Sequence, residues 1–219
     1  MAHAGVLVPW ANTVVEAELH RVSGNSVTWH YARLVPPSRT TGLDARFLRG
    51  LLEAVPPALA QLSALPLRHA YLACTSAAFM YPDAVQAARQ HAPVTLVSAF
   101  DALRAALARL VATRIVLLTP YPDQVTKAEA QMFGRSGITV TGCASLGLAD
   151  NYDTVSAEQV RKLIPQAGHA AIGEAEAIVL SCTGWPTLDL IPDLQRDLGK
   201  PVLSSNLAIG LHARETEET

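Results

Sequence analysis

Two stretches decide how this chain is read: AYLACTSAAF at 70–79 and AIVLSCTGWP at 177–186. Each is an apolar run ending in Cys-Thr, followed by small residues and then by a segment with helical spacing. The likeness extends outward in both directions. Pro9 closes an apolar run 65 positions before Cys74, and Pro120 closes another 62 positions before Cys182. Pro93 follows Cys74 by 19 positions, and Pro201 follows Cys182 by 19. Each of those prolines opens a short run ending in serine, PVTLVS and PVLSS. The repeated order of Pro, Cys, Pro and Ser predicts two duplicated halves.

Between these landmarks, apolar runs alternate with Ala- and Leu-rich amphipathic stretches. Strands are predicted over 4–9, 27–34, 69–74, 93–97, 113–118, 137–142, 176–181 and 201–204. Several, such as IVLL at 115–118, are continuous rather than alternating, as expected of parallel strands covered on both faces. Helices are predicted over 13–22, 43–63, 82–91, 99–111, 122–134, 156–168, 187–198 and 205–213, with Ser156 and Gln159 as a capping box. The expected fold is α/β: two pseudo-symmetric lobes, each a short parallel sheet flanked by helices, with the active site between them. The expected lobes are 1–95 plus 205–219 and 96–204.

Composition narrows the function classes. The chain has 219 residues, 50% hydrophobic and 16% charged, with a formal net charge of −2. That is enough apolar content for a real core, and the balance of charge argues against nucleic-acid or membrane-surface binding. Aromatic residues make up only 5%, which argues against base-stacking platforms. No run reaches the roughly 20 apolar residues of a membrane span, and the start lacks a basic, signal-like region. A cytoplasmic protein is expected. Its three cysteines, Cys74, Cys143 and Cys182, fit neither a disulfide framework nor a zinc-ligand pair. The seven histidines form no HxH or HExxH pattern, and GxGxxG and GxxxxGK are absent. No metal and no nucleotide or other cofactor is expected.

In α/β folds ligands collect at the carboxyl ends of strands, where helix N-termini offer free N–H groups. Such a place favours a carboxylate ligand and lowers a thiol pKa, while burial in a dry cleft raises it. Two lobes facing each other would bring Cys74 and Cys182 to one cleft from opposite sides. A facing thiol pair can act on both faces of a small carbon acid. A lone strand-end cysteine is more often packing, and Cys143, without a counterpart in the repeat, reads that way. Thr75, Ser76, Thr183 and Gly184 could cap the helices after the cysteines or offer N–H groups to carboxylates.

These motifs resemble the aspartate/glutamate racemase superfamily, and within it the maleate cis–trans isomerase branch. ACTSA and LSCTGWPTLD resemble the paired cysteine motifs, and VPWANTVVEAE, LTPYPDQV, LGLADNYDTVSAEQV and VLSSNLAIGLHA resemble branch segments. The resemblance implies a cofactor-free isomerase of maleate or a similar small cis-alkene carboxylic acid, commonly a homodimer. It makes Cys74 the nucleophile and Cys182 its acid/base partner, with Asn12, Tyr121 and Asn151 holding the substrate carboxylates. The residue types alone leave blander roles open: Asn12 as a helix cap, Tyr121 as a packed turn residue, Asn151 as a turn residue. Rival readings are a two-cysteine racemase of aspartate, glutamate or hydantoin type, an arylmalonate decarboxylase-like enzyme, and a non-catalytic two-lobed small-acid binder. PPSRTTG at 36–42 could form a lid, Arg33 or Arg39 could add a cation or simply be solvated, and RETEET at the end reads as a solvated acidic tail.

Overall fold

The computed structural model describes residues 2–37, 39 and 41–216. Its elements are β1 (Ala2–Pro9), α1 (Val15–Ser23), β2 (Val27–Leu34), α2 (Ala45–Glu53), α3 (Val55–Gln61), β3 (His69–Leu72), α4 (Thr75–Met80), α5 (Pro82–His91), β4 (Thr95–Ser98), α6 (Ala99–Arg109), β5 (Arg114–Thr119), α7 (Asp123–Arg135), β6 (Thr139–Ser145), α8 (Ala157–Gln166), α9 (His169–Glu174), β7 (Ala177–Leu180), α10 (Ile191–Leu198), β8 (Val202–Ser204) and α11 (Ser205–Thr216). Short 3-10 turns cover Tyr152–Thr154 and Leu188–Leu190.

The strands form two four-stranded sheets in the orders β2-β1-β3-β4 and β6-β5-β7-β8. Every pairing is parallel, and the second order repeats the first. The duplication read from Cys74 and Cys182 is therefore a duplication of topology. The continuous apolar runs lie at the sheet centres: Val6, Leu7 and Val8 of β1 and Ile115, Leu117 and Leu118 of β5 are fully buried. Each such side chain contributes about 1.5–3 kcal/mol relative to an exposed one.

Local chemistry explains where the helices stop and start. The Ser156–Gln159 capping box forms as expected, and a second joins Ser98 to Asp101 at the start of α6. The predicted helix over 43–63 is instead two helices, α2 and α3, meeting at Ala54. Pro56 and Pro57 lack the N–H that an unbroken helix needs and sit comfortably only in a first turn. The predicted helix over 156–168 ends at Gln166. Gly168, at φ 93°, turns the chain into α9, which sequence reasoning did not anticipate. The segment 187–198 begins as a 3-10 turn and becomes α-helical only at Ile191. α4 was also missed.

β4 pairs with β3 through Ser98, and α6 follows it before the chain enters β5 of the second sheet. The RETEET tail is not wholly solvated. α11 continues to Thr216, and Glu215 pairs with Arg109 of α6. Residues 217–219 lie outside the described residues.

α11 packs against both α1 and α6. Its approach to α1 requires glycine, because a Cβ at Gly210 would lie 2.4 Å from Val22 Cγ1. No helix among the described residues is long and apolar enough to cross a membrane.

Candidate active site

In each sheet, the chain leaves adjacent strands toward opposite sides between β1 and β3 and between β5 and β7. Such switch points leave a crevice at the strands' carboxyl ends. Pro9 and Cys74 stand at the first crevice, and Tyr121 and Cys182 at the second. Both crevices open onto one cavity of about 210 Å³. Its lining includes all nine residues singled out from sequence: Asn12, Cys74, Thr75, Ser76, Tyr121, Asn151, Cys182, Thr183 and Gly184.

The two sulfurs are held differently. Cys74 stands immediately before α4, in extended conformation, with Ser76 Oγ 3.6 Å from its Sγ. Burial pushes its thiol pKa up, and hydrogen bonds from the Ser76 hydroxyl and the Ala77 N–H pull it partly back. Cys182 precedes an irregular loop whose Gly184 N–H donates to Sγ at 3.2 Å. Its thiol is pushed up to about 12, chiefly by burial, with the Tyr121 hydroxyl and Gly184 N–H opposing and Cys74 and Glu129 adding. Of the two effects expected to act on these thiols, desolvation prevails over N–H donation at both.

Asn12 keeps both of the roles open to it. Its Oδ1 accepts from the N–H groups of Val14 and Val15 at 2.9 and 3.1 Å, and its Nδ2 donates to Thr183 Oγ1 at 3.4 Å. The amide oxygen holds the start of α1, so a donor faces the cleft. Tyr121 is 2% exposed, and burial, with Cys182 and Glu129 nearby, raises its phenol pKa well above normal. It is a neutral donor at every working pH. Asn151 is exposed, in left-handed conformation at φ 54°, with its amide donating to Asp150 Oδ1 at 2.8 Å. Thr75 and Thr183 use their hydroxyls within the protein. Thr75 Oγ1 meets Ser205 Oγ at 3.1 Å, and Thr183 Oγ1 donates to the Ala73 carbonyl at 2.8 Å.

Other expectations resolve elsewhere. Arg33 is outside the cavity lining. It donates to the Asn12 carbonyl at 2.6 Å and pairs with Glu16 at 2.7 Å. Arg39 does not line the cavity either. Of the stretch 36–42, Thr41 lines the cavity, while Ser38 and Thr40 lie outside the described residues. Cys143 is exposed on β6, an edge strand, rather than packed.

Sequence reasoning missed Tyr152, whose ring stands edge-on to Tyr121 with centroids 5.6 Å apart. It also missed the apolar wall of Leu43 and Phe47. The described lining contains the carboxylates Asp150 and Asp153 and no lysine or arginine. An anionic ligand would thus meet neutral side-chain donors and backbone N–H groups, together with the like charge of Asp150 and Asp153. Behind Cys182, the fully buried Glu129 of α7 accepts from Ser181 Oγ, and burial pushes its carboxyl up to about 8.

A buried thiol pair at matching switch points of a duplicated α/β fold defines a class, and comparison with known proteins agrees. The family model described as arylmalonate decarboxylase matches residues 80–216. The chain belongs to that family, within the racemase-like superfamily its motifs resemble. It is 37% identical over 97 residues to arylmalonate decarboxylase of Bordetella bronchiseptica, spanning 43% of this chain but only 40% of that enzyme. It is 28% identical over 217 residues to maleate isomerase of Nocardia farcinica, spanning 93% of this chain and 85% of the other. A solved structure of the Nocardia farcinica maleate cis–trans isomerase, a cysteine-to-serine variant with a covalently bound succinylcysteine intermediate, superposes with a TM-score of 0.89. It is 21% identical, with 99% of this chain and 93% of that one covered.

Proposed function

We propose that the protein is a cofactor-independent cis–trans isomerase of maleate or a similar small cis-alkene carboxylic acid. The observation that carries this reading is the pair of buried thiols, one from each sheet, on a single small cavity whose side-chain donors are neutral.

In this reading the Cys74 thiol, its pKa raised by burial, first gives its proton to solvent as substrate enters, and the thiolate adds to one alkene carbon. A C–S bond forms, and the π electrons move toward the far carboxylate. The Cys182 thiol, which holds its proton to about pH 12, gives that proton to the neighbouring carbon. The former double bond is now single and rotates. Cys182 then takes a proton back, the C–S bond breaks, and the trans alkene leaves with Cys74 again a thiolate. Asn12, Tyr121 and Asn151 hold the carboxylates, Asn151 by exchanging its bond to Asp150. Thr75, Ser76, Thr183 and Gly184 supply further donors, which favour the charge developing on the carboxylate. The succinylcysteine captured in the Nocardia farcinica enzyme is the adduct this sequence of steps requires.

A second reading has specific support, because the family model is named for a decarboxylase. Its match begins at residue 80, after Cys74. The isomerase alignment leaves out too little of the chain to stop short of Cys74 from either end. A racemase would use the same pair as opposed bases. We also propose two lobes joined through α6, with α11 returning to the first, in a cytoplasmic homodimer. The three free cysteines support a reducing compartment.

The deciding experiment incubates the protein with maleate and follows fumarate by proton NMR. Fumarate formation that disappears in Cys74→Ser supports the proposal. Release of carbon dioxide from an arylmalonate, or solvent deuterium at Cα of aspartate, glutamate or a hydantoin with no fumarate formed, would replace it.

A further inference from the structure

The loop that carries Cys182 is held by a carboxylate from the other half of the molecule. Glu18, on α1, is 4% exposed. Its Oε1 accepts from the N–H groups of Thr187 and Leu188 at 2.9 and 2.8 Å. Its Oε2 accepts from Asn206 Nδ2 at 2.7 Å. Asn206, fully buried on α11, also donates through Nδ2 to the Thr183 carbonyl, at 3.1 Å. One connected set of hydrogen bonds thus grips the loop at both ends: at Thr183, next to Cys182, and at Thr187–Leu188. The Thr183 hydroxyl in turn donates to the carbonyl of Ala73, the residue before Cys74. Both sulfur-bearing segments meet at Thr183, and Glu18 sets where Thr183 stands.

The donors are matched to a carboxylate. Three N–H bonds are enough to hold a buried acid without a cation. The nearby Arg21, on the same helix, is itself paired with Asp189. Nothing in the proposed chemistry uses Glu18 or Asn206, and neither lines the cavity.

We propose that Glu18 and Asn206 are positioning residues for the two-cysteine site, fixing the Thr183–Leu188 loop and with it the placement of Cys182 relative to Cys74. The proposal rests on Cys182 being a reacting group.

Glu18→Gln separates this role from simple packing. The new side chain can keep its oxygen on the two backbone N–H groups, but its amide nitrogen then meets Asn206 Nδ2, donor against donor. Asn206 can relieve this by turning its amide, because its Oδ1 has no partner among the described residues. That turn places an oxygen against the Thr183 carbonyl and breaks the link to the cysteine loop. The volume of the side chain is unchanged.

Two readouts test the idea on the full-length protein. The first is the rate of iodoacetamide alkylation at each cysteine, read by peptide mass spectrometry. The expected result in Glu18→Gln is a change at Cys182 of about 5-fold or more with Cys74 within about 2-fold. The second is maleate turnover, with kcat lowered about 10- to 100-fold and KM within about 3-fold, as for a misplaced catalytic group. A folded Glu18→Gln with wild-type labelling at Cys182 and wild-type kcat would overturn the proposal. Equal changes at both cysteines together with a large fall in Tm would also overturn it, because they mark a merely structural role. If Glu18→Gln does not fold, Asn206→Ala, which leaves Glu18 on its backbone partners, is read in the same way. Should the wild-type protein fail to convert maleate, the isomerase reading falls, while the Cys182-to-Cys74 labelling ratio still judges Glu18.

Discussion

The two cysteine loops occupy equivalent places in duplicated sheets, yet they are built on different principles. At its sulfur the Cys74 loop is held from within, although its flanks are tied outward through Thr75 to Ser205 and through the Ala73 carbonyl to Thr183. α4 starts at the next residue, and Ser76 and the Ala77 N–H turn toward the sulfur. The Cys182 loop has no helix until the turn at Leu188–Leu190, and beyond its own Gly184 N–H on the sulfur its supports come from α1, α11 and Tyr121. Duplication preserved where the sulfurs stand and let their surroundings diverge. Burial raises the pKa of both thiols and two hydrogen bonds oppose it at each, but only the second is also raised by the nearby Cys74 and the buried Glu129, to about 12. The proposed roles of nucleophile and acid rest on that difference.

The most severe way to break the comparison is to remove each sulfur in turn. Cys74→Ser is expected to lower maleate turnover at least about 10³-fold, since a serine hydroxyl is a far weaker nucleophile than a thiolate. Cys182→Ser is expected to lose turnover comparably but to trap substrate on Cys74, seen in the intact mass as the protein plus one maleate. An adduct on Cys182 in Cys74→Ser would reverse the assigned roles, and an adduct on neither variant would break the covalent mechanism.

Glu129 sharpens the second half of the comparison through pH. Its folded-state pKa is raised from the ordinary 4.5 to about 8. The unfolded chain therefore gives up this proton at lower pH than the folded one. The contribution to stability is fully present below about pH 4.5 and is lost as pH rises to about 8, a change of a few kcal/mol. Glu129→Gln keeps a partner for Ser181 and cannot ionise. Its Tm should exceed that of the parent at pH 9 and should lack the parent's decline between pH 5 and 8. Parallel pH profiles for the two proteins would show that the carboxyl titrates normally.

Gly184 probes the same loop from the cavity side. A Cβ there would lie 3.4 Å from Tyr152 Cδ2 and 3.6 Å from both Asn12 Nδ2 and Cys182 Sγ. These are ordinary contacts, so Gly184→Ala should fold with little change in Tm. The added methyl would take up substrate space, and kcat/KM for maleate should fall about 10- to 100-fold. Unchanged kinetics would place the substrate away from the Gly184 side of the pair.

What could be read in the sequence, and what could not, follows the same division. A strand buried on both faces leaves an unbroken apolar run, and a site at its carboxyl end leaves its residues next to that run. Cys74, Cys182 and the four small residues beside them, all in the cavity lining, stand next to such runs. The substrate roles of Asn12, Tyr121 and Asn151 came from the family resemblance, and the residue types alone suggested a cap and two turn residues. The supports of the second loop carry no such local mark. Glu18 sits in a helix with Glu16, and nothing in VVEAELH separates the buried acid from the exposed one. Its partners Thr187 and Asn206 lie 169 and 188 positions away. Glu129 and Tyr152 were missed for the same reason, since their roles arise only when α7 and the 152–154 turn pack against the cysteine end of the sheet. The break between α2 and α3, by contrast, was present in the adjacent Pro56 and Pro57.

The smallest expected effect tests whether the external hold on the Cys182 loop is the buried one. Arg21 of α1 and Asp189 of the turn at Leu188–Leu190 form an ion pair joining the same two elements as Glu18. Their side chains are 54% and 78% exposed, so water and salt screen the pair and each long side chain must be ordered to form it. Such pairs contribute about 0–1 kcal/mol. Asp189→Asn should therefore shift Tm by only a degree or two in low salt and not at all at 1 M NaCl, with Cys182 labelling and kcat at wild-type values. The Glu18 bonds are buried from both solvent and salt, and the loss in Glu18→Gln should persist at 1 M NaCl. Equal effects of the two variants on Cys182, fading together in salt, would show that the loop is held at the surface, and the distinction drawn between the two cysteine loops would lose its external half.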